Sequence, residues 1–575
     1  MPSLYLPDTL YKTRKQRQGF LYGWRRGEIT LVAGIIEEEL ERAVERVQQI
    51  NEKRKTDLRL IGRLSRQDDP EELDDAVAEL FVLKLRKGSP PTIPSDLNPP
   101  WSPSVTFYSP LRRLELLSLS PIPLDLTKCE QGSDPCSSSF GRVHSSPSSP
   151  LTPSAESSTI DQVVCLINTS PSISRLLQRS DPAQVSTSSE YRALSLVARF
   201  LRAGFGVNAA ILSFRLPFVG ALRDHSIAAR QIVTRLELLG DAPQHYLRYL
   251  RLGSSGPNDS SKKLEAHANY IRTWNTVWLT ANDLIVGYAL STLVRDNSEY
   301  LSHLVETFVQ TYVSGYLREL LEWLNDWPAG VKLNNELSSL ICGSFLFLSR
   351  LWDNFILVPL LPRLPSLLEV FATLGYVGGA SLLLALALDL LHLLTFPFFS
   401  CYVAATLVYR WSLVGLSALF NVFRGKKYNP LRARTEPATY SVDALLLGTI
   451  LFVTLIFLFP TIVAFYLAFA SSRLTLVAVQ TGFSVAIQAL NSFPLFALLL
   501  RLKSPARLPY KVHFRQCQNQ KHLAAPHLHL QNEPLPFSLV FADLVSLAKA
   551  FFSPKTQLTL LADLVRGEVI SNSSF

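Results

Sequence analysis

The feature that most limits what this chain can fold into is a series of long apolar stretches after Trp274 that carry almost no charge. A helix that crosses a bilayer needs ~20 consecutive apolar residues. Six segments come close: about Trp274–Val294, Leu340–Leu361, Leu367–Leu391, Leu393–Val414, Ala444–Phe469 and Leu474–Leu500. Charged residues make up 18% of the chain, against about 25% in an average protein, and the deficit lies in this half. The expected fold is therefore mainly α: a polytopic helical membrane protein of about six spans. The third and fourth spans are expected to part near Thr395-Phe396-Pro397. Pro460 and Pro494 would kink the fifth and sixth, with neighbouring helices satisfying the freed carbonyls. The first two spans are imperfect, holding Asn275, Asn282 and Asp283, and Arg350 and Asp353.

The first half has another character. Phe20–Trp24, Ile29–Ile36 and Leu58–Leu64 read as strands. Glu37–Lys55 and Asp74–Arg86 show helical periodicity. The expected organisation is a small cytoplasmic α/β region over 1–87 and a Ser/Pro-rich, mostly disordered linker over 88–190. Interfacial amphipathic helices follow over 191–273, then a transmembrane helical domain over 274–501 and a cytoplasmic tail over 502–575. Ala193–Arg223 carries four arginines, which favours a helix lying at the membrane interface over a simple span. No apolar h-region follows the basic stretch Tyr11–Arg17, so membrane attachment is expected from internal spans. Basic loops set orientation. Arg424–Arg434 and Arg501–Arg515 are expected on the cytoplasmic side, with both termini, and the acidic connection after the first span on the lumenal side.

Motifs that would carry chemistry are scarce. There is no P-loop, H-E-x-x-H or G-x-S-x-G, and Gly204-x-Gly206-x-x-Ala209 follows a helical pattern rather than the strand that a dinucleotide site requires. Glu37/Glu45 and Glu71/Glu79 have the E-x7-E spacing of some sugar-nucleotide transferases, but they fall on Glu-rich amphipathic stretches and read as solvated positions. His513, Cys517, His522, His527 and His529 fit no standard zinc spacing. No catalytic residue, metal, cofactor or nucleic-acid partner is expected.

Two acidic residues stand out. A charge at the bilayer centre costs at least ~2.5–3.5 kcal/mol, which makes Asp283 and Asp389 functional candidates; the plainer reading is a helix-end carboxylate that reaches water or pairs locally. The strongest local signal is Phe423-Arg424-Gly425-Lys426-Lys427-Tyr428-Asn429-Pro430-Leu431-Arg432, with Arg434 beyond it. Each such cation near an anionic leaflet contributes ~1 kcal/mol, so Arg424, Lys426, Lys427, Arg432 and Arg434 are candidates for docking lipid headgroups or a partner. The alternative is an ordinary loop that sets topology.

This loop, the Leu447-Gly448-Thr449-Ile450-Leu451-Phe452 run and Phe459-Pro460-Thr461 closely resemble the subunit Q (PIG-Q) family of the phosphatidylinositol N-acetylglucosaminyltransferase complex. Its members share an F-R-G-K-K-[WY]-N-x-L-R loop, an L-G-T-x-L-F span and an L-P-T triplet, in which Phe459 here replaces Leu. Pro328–Asn334, Val477–Gln480, Asn491–Leu495 and Gly567–Ile570 agree in order. The resemblance covers roughly Trp274 to the C-terminus; the first 190 residues match much less clearly.

The resemblance implies a non-catalytic subunit in the endoplasmic-reticulum membrane. It would stabilise the complex that transfers GlcNAc from UDP-GlcNAc to phosphatidylinositol, the first step of glycosylphosphatidylinositol-anchor synthesis. The implied partners are the catalytic GlcNAc-transferase subunit, the other small membrane subunits and a membrane phospholipid, with phosphatidylinositol the candidate. The rival readings are a transporter or lipid-translocating protein, suggested by Asp283 and the kinked spans, and a chain that is itself the transferase.

Overall fold

The computed structural model describes residues 3–12, 18–54, 56–66, 81–85, 104–112, 114–124, 155–178, 187–216, 220–253, 260–326, 328–330, 333–429, 434–437, 439–516, 528–551, 559 and 562–569. The helices used below are α1 (Leu40–Arg54), α2 (Ala155–Gln178), α3 (Thr187–Leu212), α4 (Ile227–Gly253), α5 (Ser260–Asp296), α6 (Ser298–Phe308), α7 (Tyr316–Asn325), α8 (Asn335–Trp352), α9 (Leu364–Leu394), α10 (Phe396–Phe423), α11 (Val442–Ser492) and α12 (Leu495–Lys503). They are divided between two compact units. One holds Met1–Gly204, Leu238–Trp278 and Pro494–Ala542; the other holds Phe205–Glu237, Leu279–Phe493 and Asp543–Phe575.

The first unit is built on an eight-stranded mixed sheet. Its strands are β1 (Ser3–Pro7), β2 (Gly19–Arg26), β3 (Ile29–Ile36), β4 (Arg59–Arg66), β5 (Phe81–Leu85), β6 (Ser104–Tyr108), β7 (Pro509–Gln516) and β8 (Leu528–Pro534), in the order β7-β8-β6-β1-β3-β2-β4-β5. The strands expected at 20–24, 29–36 and 58–64 are present as β2, β3 and β4, and α1 fills most of 37–55. The helical period expected over 74–86 fails at Phe81–Leu85, which pairs in parallel with β4 as β5; the rest of that stretch lies outside the described residues. Leu6, Leu21, Leu31, Val32, Leu64 and Phe107 are almost wholly buried between the strands and their covering layers.

Two findings depart from the expected layout. The Ser/Pro-rich stretch contributes ordered structure: β6 lies inside the sheet, and α2 covers one face with Val163, Val164, Ile167, Ile173 and Leu177 buried. Its small polar residues serve as backbone partners rather than loop formers. Ser170 Oγ donates to the Ala33 carbonyl at 3.2 Å, and Asn168 exchanges two 3.0 Å hydrogen bonds with the backbone of Leu117. The Asn168-Thr169-Ser170 sequon is thus buried and its amide engaged. Tyr108 is fully buried with its hydroxyl donating to the Val32 carbonyl, and burial pushes its phenol well above the usual range.

The second departure is at the C-terminal end. The segment expected as a tail supplies β7 and β8. β8 pairs in parallel with β6, and Asn532 Nδ2 donates to the Leu116 carbonyl at 2.9 Å. Strand pairing over such a sequence separation is invisible to local periodicity. In the same unit Asn275 Oδ1 accepts from the Ala497 amide at 2.9 Å, which explains one of the polar residues in the first expected span.

Among the described residues, five helical stretches are long and apolar enough to cross a membrane: Ala193–Leu212, Lys262–Asp296, Asn335–Leu394, Phe396–Phe423 and Val442–Ser492. The chain is a mainly α, multi-pass membrane protein with an N-terminal α/β region. α3, expected at the interface, meets the length for a span and exposes Leu196, Val197, Phe200, Val207 and Ile211. The expected break at Thr395 is present between α9 and α10. The expected turn between the last two spans is absent: α11 runs unbroken through Pro460 and Ser471-Ser472-Arg473. The serine hydroxyls return to the Ala468 carbonyl at 2.9 and 3.0 Å, and the Arg473 guanidinium lies 4.9 Å from the Phe399 ring. The two serines are thus satisfied by their own helix, and the arginine packs on an aromatic ring and lies 3.5 Å from Gln480 Oε1. α11 ends only where Pro494 follows Phe493, whose backbone is extended.

Truncation after Ser504 removes β7 and β8 and leaves β6 paired on one edge alone, with β1. Limited proteolysis should then cleave within 1–124 at protease levels that spare the full chain. Unchanged resistance would show that the N-terminal strands fold without their C-terminal partners.

Candidate functional site

The site begins with α4, whose first three turns carry polar groups at i, i+4 and i+8: the helix start at Ile227, then Gln231 and Arg235. This spacing puts them on one face, and each bonds to a different helix of the second unit. Asp389 of α9 caps the helix start. Its Oδ1 accepts from the Ile227 amide at 2.8 Å, and its Oδ2 accepts from the Ala228 amide at 3.0 Å and from Ser226 Oγ at 2.6 Å. Ser226 in turn accepts from the Ala229 amide at 3.1 Å. Helix starts leave unpaired amides and a positive dipole end, so a carboxylate from a neighbouring helix satisfies both.

One turn on, Gln231 and Asn491 of α11 exchange amide hydrogen bonds of 2.8 Å in each direction. A further turn on, Arg235 Nη2 donates to Asp283 Oδ2 at 3.0 Å and to Ser381 Oγ at 3.1 Å. Asp283 is 3% exposed. It also accepts from Ser381 Oγ at 2.7 Å through Oδ2 and from the Ser381 amide at 3.0 Å through Oδ1. Arg235 Nε and Nη1 have no hydrogen-bond partner among the described residues.

The Ser381 amide is available because α9 is broken there. Gly379 has φ +84° and ψ 178°, outside helical space, a conformation that only glycine adopts readily. The break creates a second helix start inside the bundle, and Asp283 occupies it. A Cβ at Gly379 would lie 2.3 Å from Asp283 Oδ2. Close approach of α5 to α9 depends on small residues on both. A Cβ on Gly287 would meet the Gly379 backbone at 2.5 Å, and one on Gly375 would meet Ser291 Oγ at 2.2 Å. Gly375-x-x-x-Gly379 against Gly287-x-x-x-Ser291 is the small-residue spacing by which membrane helices pack closely.

Both intramembrane carboxylates singled out from the sequence therefore belong to one polar seam. Each pairs within the chain. Ser226, Gln231, Arg235, Ser381 and Asn491 were not singled out. Arg235 was hidden because α4 reads as a basic amphipathic helix. The usable signals were Gly378-Gly379 inside an apolar run and the four-residue spacing of Gln231 and Arg235.

The cationic loop is a separate feature. α10 ends at Phe423, Gly425 takes φ +65°, and Lys426–Asn429 pairs antiparallel with Arg434–Pro437. Arg424 places its guanidinium 5.5 Å from the Phe420 ring, and Arg434 Nε lies 3.0 Å from Glu436 Oε1 on the exposed strand. Lys427 is exposed and Lys426 half-buried. Arg432 lies outside the described residues, as do Glu71, Glu79, Cys517, His522 and His527. Glu37 and Glu45 are exposed at the end of β3 and on α1. His529 is buried in β8 with Nε2 3.6 Å from Asp8 Oδ2, and His513 is exposed on β7.

A family model described as the N-acetylglucosaminyl transferase component (Gpi1) matches residues 229–510. The Gpi1 region begins on α4 and contains Gln231, Arg235, Asp283, Ser381, Asp389 and Asn491. Among similar proteins is the N-acetylglucosaminyl-phosphatidylinositol biosynthetic protein gpi1 of Schizosaccharomyces pombe, 34% identical over 67% of this chain and 59% of that protein. The phosphatidylinositol N-acetylglucosaminyltransferase subunit GPI1 of Saccharomyces cerevisiae is 31% identical over 61% of this chain and 60% of its own length. Subunit Q of the same enzyme from Homo sapiens is 35% identical over 48% of this chain and 36% of that protein. The chain thus spans between about a third and three fifths of the length of these relatives. No solved structure matches it.

Asp389→Ala removes the acceptor for two amides and a hydroxyl at the start of the seam. Loss of a helix cap costs about 0.5–2 kcal/mol, and 1.4 kcal/mol is tenfold in an equilibrium. Amide exchange over 227–235 should quicken roughly tenfold in the purified protein, while 244–252 exchanges as before. Equal protection in both segments would show that other contacts hold the helix start.

Proposed function

We propose that this chain is a non-catalytic membrane subunit of the assembly that transfers GlcNAc from UDP-GlcNAc to phosphatidylinositol, opening glycosylphosphatidylinositol-anchor synthesis in the endoplasmic-reticulum membrane. Both termini face the cytoplasm in this reading, and the chain holds the catalytic subunit and the other small subunits at the bilayer. The observation that carries it is the coincidence of the Gpi1 region with the sealed polar seam. The family model is described as a transferase component and the S. cerevisiae and H. sapiens relatives are named as transferase subunits, and here that region uses its buried carboxylates to fix its own helices. Asp283 is committed to Arg235 and Ser381, and Asp389 to the start of α4.

The broken α9 favours one second reading, a transporter, because discontinuous helices in such proteins aim helix starts at a bound ion or substrate. The helix start at Ser381 is already occupied by Asp283 of the same chain, which supports the scaffold reading instead. In the scaffold reading, the exposed side chains of the hairpin, Arg424 and Lys427 foremost, dock lipid headgroups or an acidic partner surface.

Affinity purification of the tagged chain in mild detergent should bring down further membrane subunits and GlcNAc-transfer activity toward phosphatidylinositol. The chain stripped of those partners should make no product. Turnover by the isolated chain would make it the transferase; isolation without partners or activity would sink the subunit reading. Lys426→Gln with Lys427→Gln, removing about 1 kcal/mol of attraction per charge, should lower copurifying activity severalfold. Normal yield and activity would return the loop to a topology signal.

A further inference from the structure

The connection between α5 and α8 is itself an almost continuous helix from Ser298 to Asn325, made of α6, a π-helical turn at Val309–Gly315, and α7. It follows one stretch long and apolar enough to cross a membrane and precedes another. Its longest uncharged run, Thr307–Leu317, is 11 residues, about half of what a span needs and within the size of an interfacial segment.

Its two sides differ in chemistry. Val309, Val313, Leu317, Leu321 and Leu324 are buried in a cluster with Phe345, Leu364, Phe398 and Phe469. Beside this row runs a second one, four residues apart: Tyr300, Leu304, Phe308, Tyr312 and Tyr316, with Trp323 beyond. Tyr300 is 69% exposed, Tyr312 65% and Trp323 51%. An α-helix advances an i+4 row by about 40° per step, so such a row should wind out of line. The wider π turn between Phe308 and Tyr316 reverses that drift and keeps the row on one flank. Gly315 permits the turn, since a Cβ there would lie 2.7 Å from the Gln310 carbonyl oxygen.

The exposed residues of α11 are of another kind: Leu446, Leu447, Ile450, Leu451, Val453 and Phe457. Those suit hydrocarbon. Three tyrosines and a tryptophan, each with an apolar body and a polar tip, suit the headgroup level. The half-buried Asp353, with Ser314 Oγ donating to it at 3.2 Å and Arg318 3.7 Å away, adds a polar level on the inner side of the same helix. The exposed carboxylates Glu299, Glu319 and Glu322 disfavour an anionic surface.

We propose that the aromatic flank of Ser298–Asn325 lies in the headgroup layer of a zwitterionic leaflet and anchors this connection to the lipid. The inference stands apart from the transferase reading, because it depends only on the chain's membrane insertion. To test it, the photoreactive residue p-benzoylphenylalanine replaces Tyr312, Tyr316 or, as an aqueous reference, the exposed Arg515 of β7. The full chain is placed in phosphatidylcholine nanodiscs, and adducts are read by mass spectrometry after confirming an unchanged thermal midpoint. Lipid adducts at 312 and 316, several times more abundant than at 515 and attached at the glycerol or upper acyl carbons, are expected. Adduct levels equal to those at 515, attachment at the acyl ends, or crosslinks to a second copy of the chain would each overturn the proposal.

Discussion

One interaction organises the helical unit: the carboxylate of Asp283, held by the Arg235 guanidinium and by the hydroxyl and amide of Ser381. A carboxylate alone among apolar helices is costly, and so is an unpaired arginine. Each is tolerated here because the other is 3.0 Å away and a broken helix supplies the remaining donors. The break at Gly379 is part of the same device. Without a residue that accepts φ +84°, the Ser381 amide would stay in the α9 ladder, and Asp283 would lose one of its partners. The glycines that let α5 approach α9 then bring the groups within reach. Sequence, backbone and electrostatics are mutually dependent at this point.

The rest of the seam extends the same principle along α4. Asp389 satisfies its helix start, Gln231 pairs with Asn491, and Arg235 closes the third contact. Among apolar helices there is little hydrophobic force to choose one rotation or register over another, since lipid is as apolar as a leucine side chain. Directional polar contacts supply that choice. A helix tied at three successive levels to α9, α11 and α5 has one rotation that satisfies all of them. Such a scaffold offers partner subunits a defined surface, which is what the proposed role asks of it.

Much of this architecture was legible in the chain. Apolar length marked the membrane helices and the break at Thr395-Phe396-Pro397, short apolar runs marked β2 to β4, and the cost of buried charge marked Asp283 and Asp389. What escaped were features fixed by distant partners. β8 is a strand because β6 lies beside it, and α2 is ordered because its Val and Ile face finds the sheet. α11 runs on through Arg473, which packs over the Phe399 ring. Arg235 escaped for the opposite reason: basic residues on an amphipathic helix are common, and only a partner with the right geometry makes one of them structural. The cationic loop was plain as a motif, yet a motif of exposed charge does not name what it touches.

A double-mutant cycle between Arg235 and Asp283 tests this account most directly, read as unfolding free energy of the purified chain in a membrane mimetic. Removing one partner of a buried pair costs about 3–5 kcal/mol, because the other charge is left uncompensated. Arg235→Gln and Asp283→Asn should each destabilise the helical unit strongly. Together they should cost little more than either alone, with residues 227–237 still docked through Asp389 and Gln231. Single losses that simply add would mean that the two charges do not depend on each other, and would contradict the claim that this pair holds the bundle in register.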